Sequence, residues 1–163
     1  MTDRQVPLQP DKYATISFDC YGTLIDWENG ILGFMQPLLE SYDVHVIDDW
    51  TLEFFAECEP LEQARGGTYR SVLGRVLEQF GTRLAFTPGE REKRDFADSI
   101  EYWQPFEDTV PALRRLQTKY RLAVISNVDD DLFEDRCLVL CPDRGAKRQP
   151  GSSHWQQHPK THC

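Results

Sequence analysis

The chain has 163 residues, 40% of them apolar and 12% aromatic, and carries a formal charge of −9. That is enough for one domain-sized core, or a small core with an insertion, and the acidic balance argues against nucleic acid or an anionic membrane as the main partner. No apolar run reaches the roughly 18 residues of a membrane span. The first seven residues lack the apolar segment of a secretory signal, and five irregularly spaced cysteines do not read as a disulfide framework, so the expectation is a reduced, cytoplasmic protein.

In chain order, residues 14–19 form an apolar, β-branched stretch that predicts a strand ending on Asp19. The signal then turns helical from Asn29 to about Trp103. Ile31, Leu32, Met35, Leu38 and Leu39 share one face of a first helix. Leu52, Phe55, Ala56 and Glu59 continue a second, which Pro60 is expected to interrupt. Tyr69, Val72, Leu73, Val76, Leu77 and Phe80 stripe a third, with Gly81 as its expected C-cap. A fourth, over residues 88–103, should bury Phe96, Ile100 and Trp103.

Asp108 or Thr109 then caps a helix with Pro111 in its first turn, where the missing N–H costs nothing, and Val110, Leu113 and Leu116 face a core. Residues 121–127 read as a short, fully buried strand ending in Ser126 and Asn127. Strand, helix and parallel strand bring Asp19 and Ser126 to one sheet edge, where α/β proteins place their chemistry. Residues 136–163 differ in kind: five bases face one acid, a net +4, whereas the first 135 residues carry 13 bases and 26 acids, a net −13. The expected organisation is a core from residues 1–25 and 104–135, an inserted helical unit at 26–103, and a divergent, disordered tail at 136–163.

The sharpest motif is Asp19-Cys20-Tyr21-Gly22-Thr23-Leu24. Gly22 permits a tight turn, and its N–H with that of Thr23 could face an anion. The Thr23 hydroxyl can hold the carboxylate of Asp19. Cys20 alternates away from Asp19 and reads as a small core residue. The motif resembles the nucleophile motif of the haloacid dehalogenase superfamily, and residues 106–113 and 122–129 are similar to the second core segment of L-2-haloacid dehalogenases. The resemblance implies an α/β fold, a Rossmann-like parallel sheet core, here incomplete, with an inserted all-helical cap. It implies Asp19 as catalytic nucleophile, and Tyr21, Thr23, Ser126 and Asn127 as substrate-binding residues. No metal and no cofactor are expected. The partner would be a small molecule, a 2-haloacid or similar small carboxylate, with a homodimer left open.

Tyr21 selects the branch. Phosphatases of the superfamily carry a second Asp at this position as general acid, and a phenol with a pKa of about 10 serves poorly there near neutral pH. A halide leaving group needs no proton. A magnesium-dependent phosphatase on the same fold remains the alternative, with Asp129, Asp130 and Asp131 as the nearby acids; a catalytically inactive chain is the other. The family's cap arginine has only Arg65 and Arg70 as regional candidates. Its later lysine and acidic motifs have no recognisable counterpart, and the pattern stops near Phe133. This suggests a truncated or frame-shifted end, poor folding, and a rate lowered by roughly 10²–10³ through loss of one electrostatic group. In the tail, Cys137, Cys141, His154 and His158 have zinc-finger spacing, but Gly145 and Gly151 stand where the finger needs core residues, and Pro150 and Pro159 oppose its helix.

Overall fold

The computed structural model describes residues 10–129 together with Leu132 and Leu140. After a 3₁₀ turn at Pro10–Lys12, strand β1 (Thr15–Phe18) leads to four helices, α1 (Trp27–Ser41), α2 (Asp48–Ala64), α3 (Tyr69–Leu84) and α4 (Glu90–Ser99). A 3₁₀ turn (Ile100–Tyr102), helix α5 (Thr109–Leu116) and strand β2 (Arg121–Val124) follow. The described part is therefore mostly helical, with a two-stranded parallel sheet. None of its helices is long and apolar enough to cross a membrane.

The register pairs Ile16 with Leu122 and Phe18 with Val124. Alternation turns these four side chains to one face, against the core. Thr15, Ser17 and Arg121 on the other face are exposed and Ala123 is half-buried. The expected burial of the second strand on both faces is thus corrected: among the described residues, helices cover one face only. A single apolar cluster runs from Cys20 and Ile25 through all four inserted helices to Leu113, Val124, Leu132 and Leu140.

The helices follow their apolar periods. Ile31, Met35 and Leu39 are the buried stripe of α1, whose N-cap Asp26 accepts from the Asn29 backbone N–H at 3.1 Å. Trp27, Phe55, Phe96 and Phe34 form a chain of ring contacts joining α1, α2 and α4. As expected, Phe96, Ile100 and Trp103 are buried.

Two expected helix ends move. Pro60 lies inside α2, which runs on to Ala64. The last turn is held from α3: buried Glu62 accepts from Arg65 at 2.8 Å, Arg75 Nε at 2.9 Å and Gln79 at 2.8 Å, while Arg75 also donates to the Glu62 and Gly66 carbonyls. That network offsets the one backbone bond that proline removes. Gly81 lies within α3, and Ala85 takes the left-handed cap, with φ 61°. Gly81 is required for close packing: a Cβ there would sit 2.6 Å from Pro88 Cδ and 2.7 Å from the Phe86 carbonyl oxygen.

Burial alone would raise the Glu62 pKa, but hydrogen bonds from Gln79, Arg75 and Arg65 and the Arg65 charge bring it below the ordinary value. A depressed carboxylate stabilises the fold above its unfolded pKa, and the contribution is lost as pH falls through the folded one. Glu62→Gln is expected to cost about 3 kcal/mol at pH 7, because the largely buried Arg75 loses its charged partner while the exposed Arg65 stays solvated. In urea titrations, the gap between parent and variant should close in acid, below the usual carboxylate range. Gly81→Ala should lower stability by about 1–3 kcal/mol through overpacking. Gly33→Ala, in α1 with nothing near the new Cβ, should raise it by about 0.5–1 kcal/mol. Thermal unfolding of the pair checks both signs.

Candidate active site

Asp19 immediately follows β1, and the chain reverses at once. The Cys20 carbonyl accepts from the N–H groups of Thr23, Leu24 and Ile25 at 3.3, 2.7 and 3.0 Å. Gly22 takes φ +90°, which only glycine adopts without strain, and its N–H donates to the Ile25 carbonyl at 2.9 Å. The expectation that the Gly22 and Thr23 N–H groups could receive an anion is corrected, because both are engaged within the turn. Cys20, Leu24 and Ile25 point into the core, which leaves Asp19 exposed on the outside. The Thr23 hydroxyl reaches Asp19 Oδ2 at 3.4 Å, a long hydrogen bond that restrains the carboxylate rotamer.

The turn is bolted to the segment entering α5. The Leu24 carbonyl accepts from the buried Thr109 hydroxyl at 3.0 Å and from the Phe106 N–H at 3.3 Å, and the Asp26 N–H donates to the Gln104 carbonyl at 2.8 Å. The Ile125 N–H donates to the Phe18 carbonyl at 2.8 Å, so the ends of both strands lie level. Asp19, Ser126 and Asn127 therefore share one edge of the sheet. The Ser126 hydroxyl is buried with no hydrogen-bond partner among the described residues. Asn127 donates to Gln63 of α2 at 3.2 Å.

Tyr21 buries its hydroxyl and packs edge-on against Trp103, with ring centroids 5.8 Å apart. Tyr69 opens α3, and the Glu59 carboxylate of α2 acts on its phenol. The Tyr69 backbone N–H donates to Asp129 Oδ2 at 2.7 Å. Burial, the Glu59 charge and hydrogen bond, and Tyr21 together push the Tyr69 phenol far above its usual range. Burial raises Glu59 too, with the Tyr69 hydrogen bond partly opposing it.

Tyr69 and Gln63 were not expected beside the strand ends, and Asp129 was expected only under the phosphatase alternative. The stripe expected on α2 from Leu52, Phe55, Ala56 and Glu59 is corrected: Thr51, Phe55, Cys58 and Glu62 are the buried residues, Leu52 and Glu59 are half-buried and Ala56 is exposed. Neither regional arginine turns to Asp19. Arg65 is held by Glu62, and Arg70 by Asp98 and Glu101. The possible zinc ligands Cys137, Cys141, His154 and His158, along with Asp130 and Asp131, lie outside the described residues.

No protein-family model matches the sequence, and no curated protein is similar to it. Solved structures do share its fold. A defluorinating L-2-haloacid dehalogenase matches with a TM-score of 0.65 and 20% identity, over 81% of this chain and 60% of its own. The L-2-haloacid dehalogenase of Xanthobacter autotrophicus with chloropropionic acid covalently bound matches at 0.63 and 18% identity, over 78% of this chain and 52% of its own. YfnB of Bacillus subtilis, assigned to the HAD hydrolases and bound to magnesium, matches at 0.61 and 16%, over 78% and 60%. The described chain therefore has a haloacid-dehalogenase-like fold, and it spans only about half of the length of these proteins.

Ser126→Ala removes a buried polar atom that has no described partner. Its stability is expected to stay equal to the parent's or to rise by up to about 1 kcal/mol. A loss beyond that in thermal unfolding would show that the hydroxyl has a structural partner.

Proposed function

We propose that the chain is a hydrolase that displaces halide from a small halogenated carboxylate, with Asp19 as nucleophile. The observation that carries this reading is the placement of Asp19. It is exposed at the end of β1, restrained by Thr23, and level with Ser126 and Asn127 on the adjacent parallel strand. The fold shared with dehalogenases, one of them holding chloropropionic acid covalently, supports the choice of chemistry.

The reaction has two steps. One Asp19 carboxylate oxygen attacks the carbon bearing the halogen in line; the carbon–halogen bond breaks as the carbon–oxygen bond forms, and halide leaves with the bonding electrons. The product is an ester of Asp19. Water then adds to the ester carbonyl carbon. The carboxylate is restored, and the hydroxy acid and one proton are released. Ser126 and Asn127 donate hydrogen bonds to the substrate carboxylate. Tyr21, against Trp103, supplies an apolar wall that excludes water from the attack line. Residues 26–103 serve as the cap over this edge, with α2 and α3 contributing Gln63 and Tyr69.

Tyr21 favours this branch over phosphoryl transfer, because no carboxyl follows Asp19 at the position of a general acid. With 2-chloropropionate, intact-mass analysis should find an ester adduct on the parent chain and none on Asp19→Asn. Chloride release by Asp19→Asn should fall at least about 10³-fold, to background, since the nucleophile itself is gone. Equal release from both would remove Asp19 from the reaction. Turnover of an aryl phosphate abolished by chelation would instead favour the phosphatase.

A further inference from the structure

A side-chain contact joins the inserted helices to the candidate site. Asn127 Nδ2 donates to Gln63 Oε1 at 3.2 Å, across 64 residues of sequence. Gln63 stands half-buried in the last turn of α2, and Asn127 follows β2. The Ile125 N–H bond to the Phe18 carbonyl, 2.8 Å, sets this strand end level with Asp19. Beside Asn127, the Ser126 hydroxyl is buried with no hydrogen-bond partner among the described residues, a polar group open to a ligand.

The Gln63–Asn127 bond does little for the fold. It is exposed, and a bond between two neutral amides in water contributes little. Its effect is on orientation. A side-chain amide presents an acceptor oxygen and a nitrogen with two donor hydrogens, and a half-turn about its last bond exchanges them. Gln63 Oε1 requires the nitrogen of Asn127 on the α2 side. One amide hydrogen is used there, which leaves the second to donate elsewhere. Gln63 is itself held in place. Its neighbour Glu62 accepts from Arg75 and Gln79 of α3, which fixes the α2 turn beyond Pro60. The Tyr69 N–H bond to Asp129 Oδ2, 2.7 Å, ties the start of α3 to the same segment after β2.

We propose that Gln63 is a positioning residue for the substrate carboxylate, acting through Asn127. By accepting one amide hydrogen of Asn127 it turns the other toward the carboxylate of the halogenated acid. With the amide reversed, its carbonyl oxygen would face that carboxylate, and neither could donate. This rests on the reading of Asp19 as nucleophile and Asn127 as carboxylate donor, and adds a residue of the inserted helices to it. The carboxylate is held alike in the ground and transition states, so the effect falls on KM rather than on kcat.

A double-mutant cycle on Gln63 and Asn127 tests this. The readouts are chloride release from 2-chloropropionate and calorimetric binding of lactate, its hydrolysis product. Gln63→Leu should raise KM and weaken lactate about 3–10-fold, the worth of one neutral hydrogen bond. Its kcat should stay within about twofold of the parent's. Asn127→Ala should weaken binding at least as much. In the Asn127→Ala background, Gln63→Leu should add less than about 1.5-fold, because its route to the substrate is gone. Gln63→Met, close to glutamine in length, runs the same cycle if Gln63→Leu fails to fold. An unchanged KM in Gln63→Leu, a fall confined to kcat, or effects of the two substitutions that multiply would each overturn the positioning role and leave Asp19 untouched. Lactate binding without chloride release overturns Asp19 alone, and the cycle is then read from lactate. A parent that neither releases chloride nor binds lactate overturns the site itself, and this inference with it.

Discussion

The Cys20 carbonyl is the constraint on which the site depends. By accepting three successive N–H groups it closes the chain into a turn directly after β1. That turn sends Cys20, Leu24 and Ile25 inward and leaves Asp19 outward. The same turn presents the Leu24 carbonyl to the Thr109 hydroxyl and the Phe106 N–H, so the entrance to α5, and through it the level of β2, is fixed against β1. Hydrogen bonds among buried groups are costly to leave unmade, so this junction has little freedom to open locally. A carboxylate on such a support is preorganised by its backbone, and one Thr23 hydroxyl suffices to restrain it.

A second constraint acts on the helices. Glu62 gathers Arg65, Arg75 and Gln79 at the point where α2 gives way to α3. It holds the α2 turn beyond Pro60 and fixes the start of α3. Glu59 and Gln63 lie on that turn, and Tyr69 opens α3. The Glu62 network therefore fixes the segment from which the Gln63 side chain meets Asn127 and the Tyr69 backbone N–H meets Asp129.

Much of this was legible in the sequence, because local patterns determine it. The buried stripes of α1, α3 and α4, the parallel pairing of the two strands, and the nearness of Asp19, Thr23, Ser126 and Asn127 all follow from period and motif. What the sequence hid was set by distant contacts. Pro60 reads as a helix breaker until α3 supplies the bonds that offset it. Gly81 reads as a helix end until Pro88 and Phe86 are seen to pack against its bare Cα. The Gly22 and Thr23 N–H groups look available until the turn is closed.

The central claim is that the Asp19 carboxylate forms the bond to carbon, and the fate of its oxygens tests this most directly. In a single turnover of 2-chloropropionate in heavy-oxygen water, with enzyme in excess, attack of water on the ester carbonyl places the label in Asp19 and leaves the product unlabelled. Peptide mass spectrometry is predicted to find the label in the fragment containing residues 13–24, confined to Asp19. Label in the hydroxy acid, with none in Asp19, would mean that water attacks the substrate directly and would contradict the account.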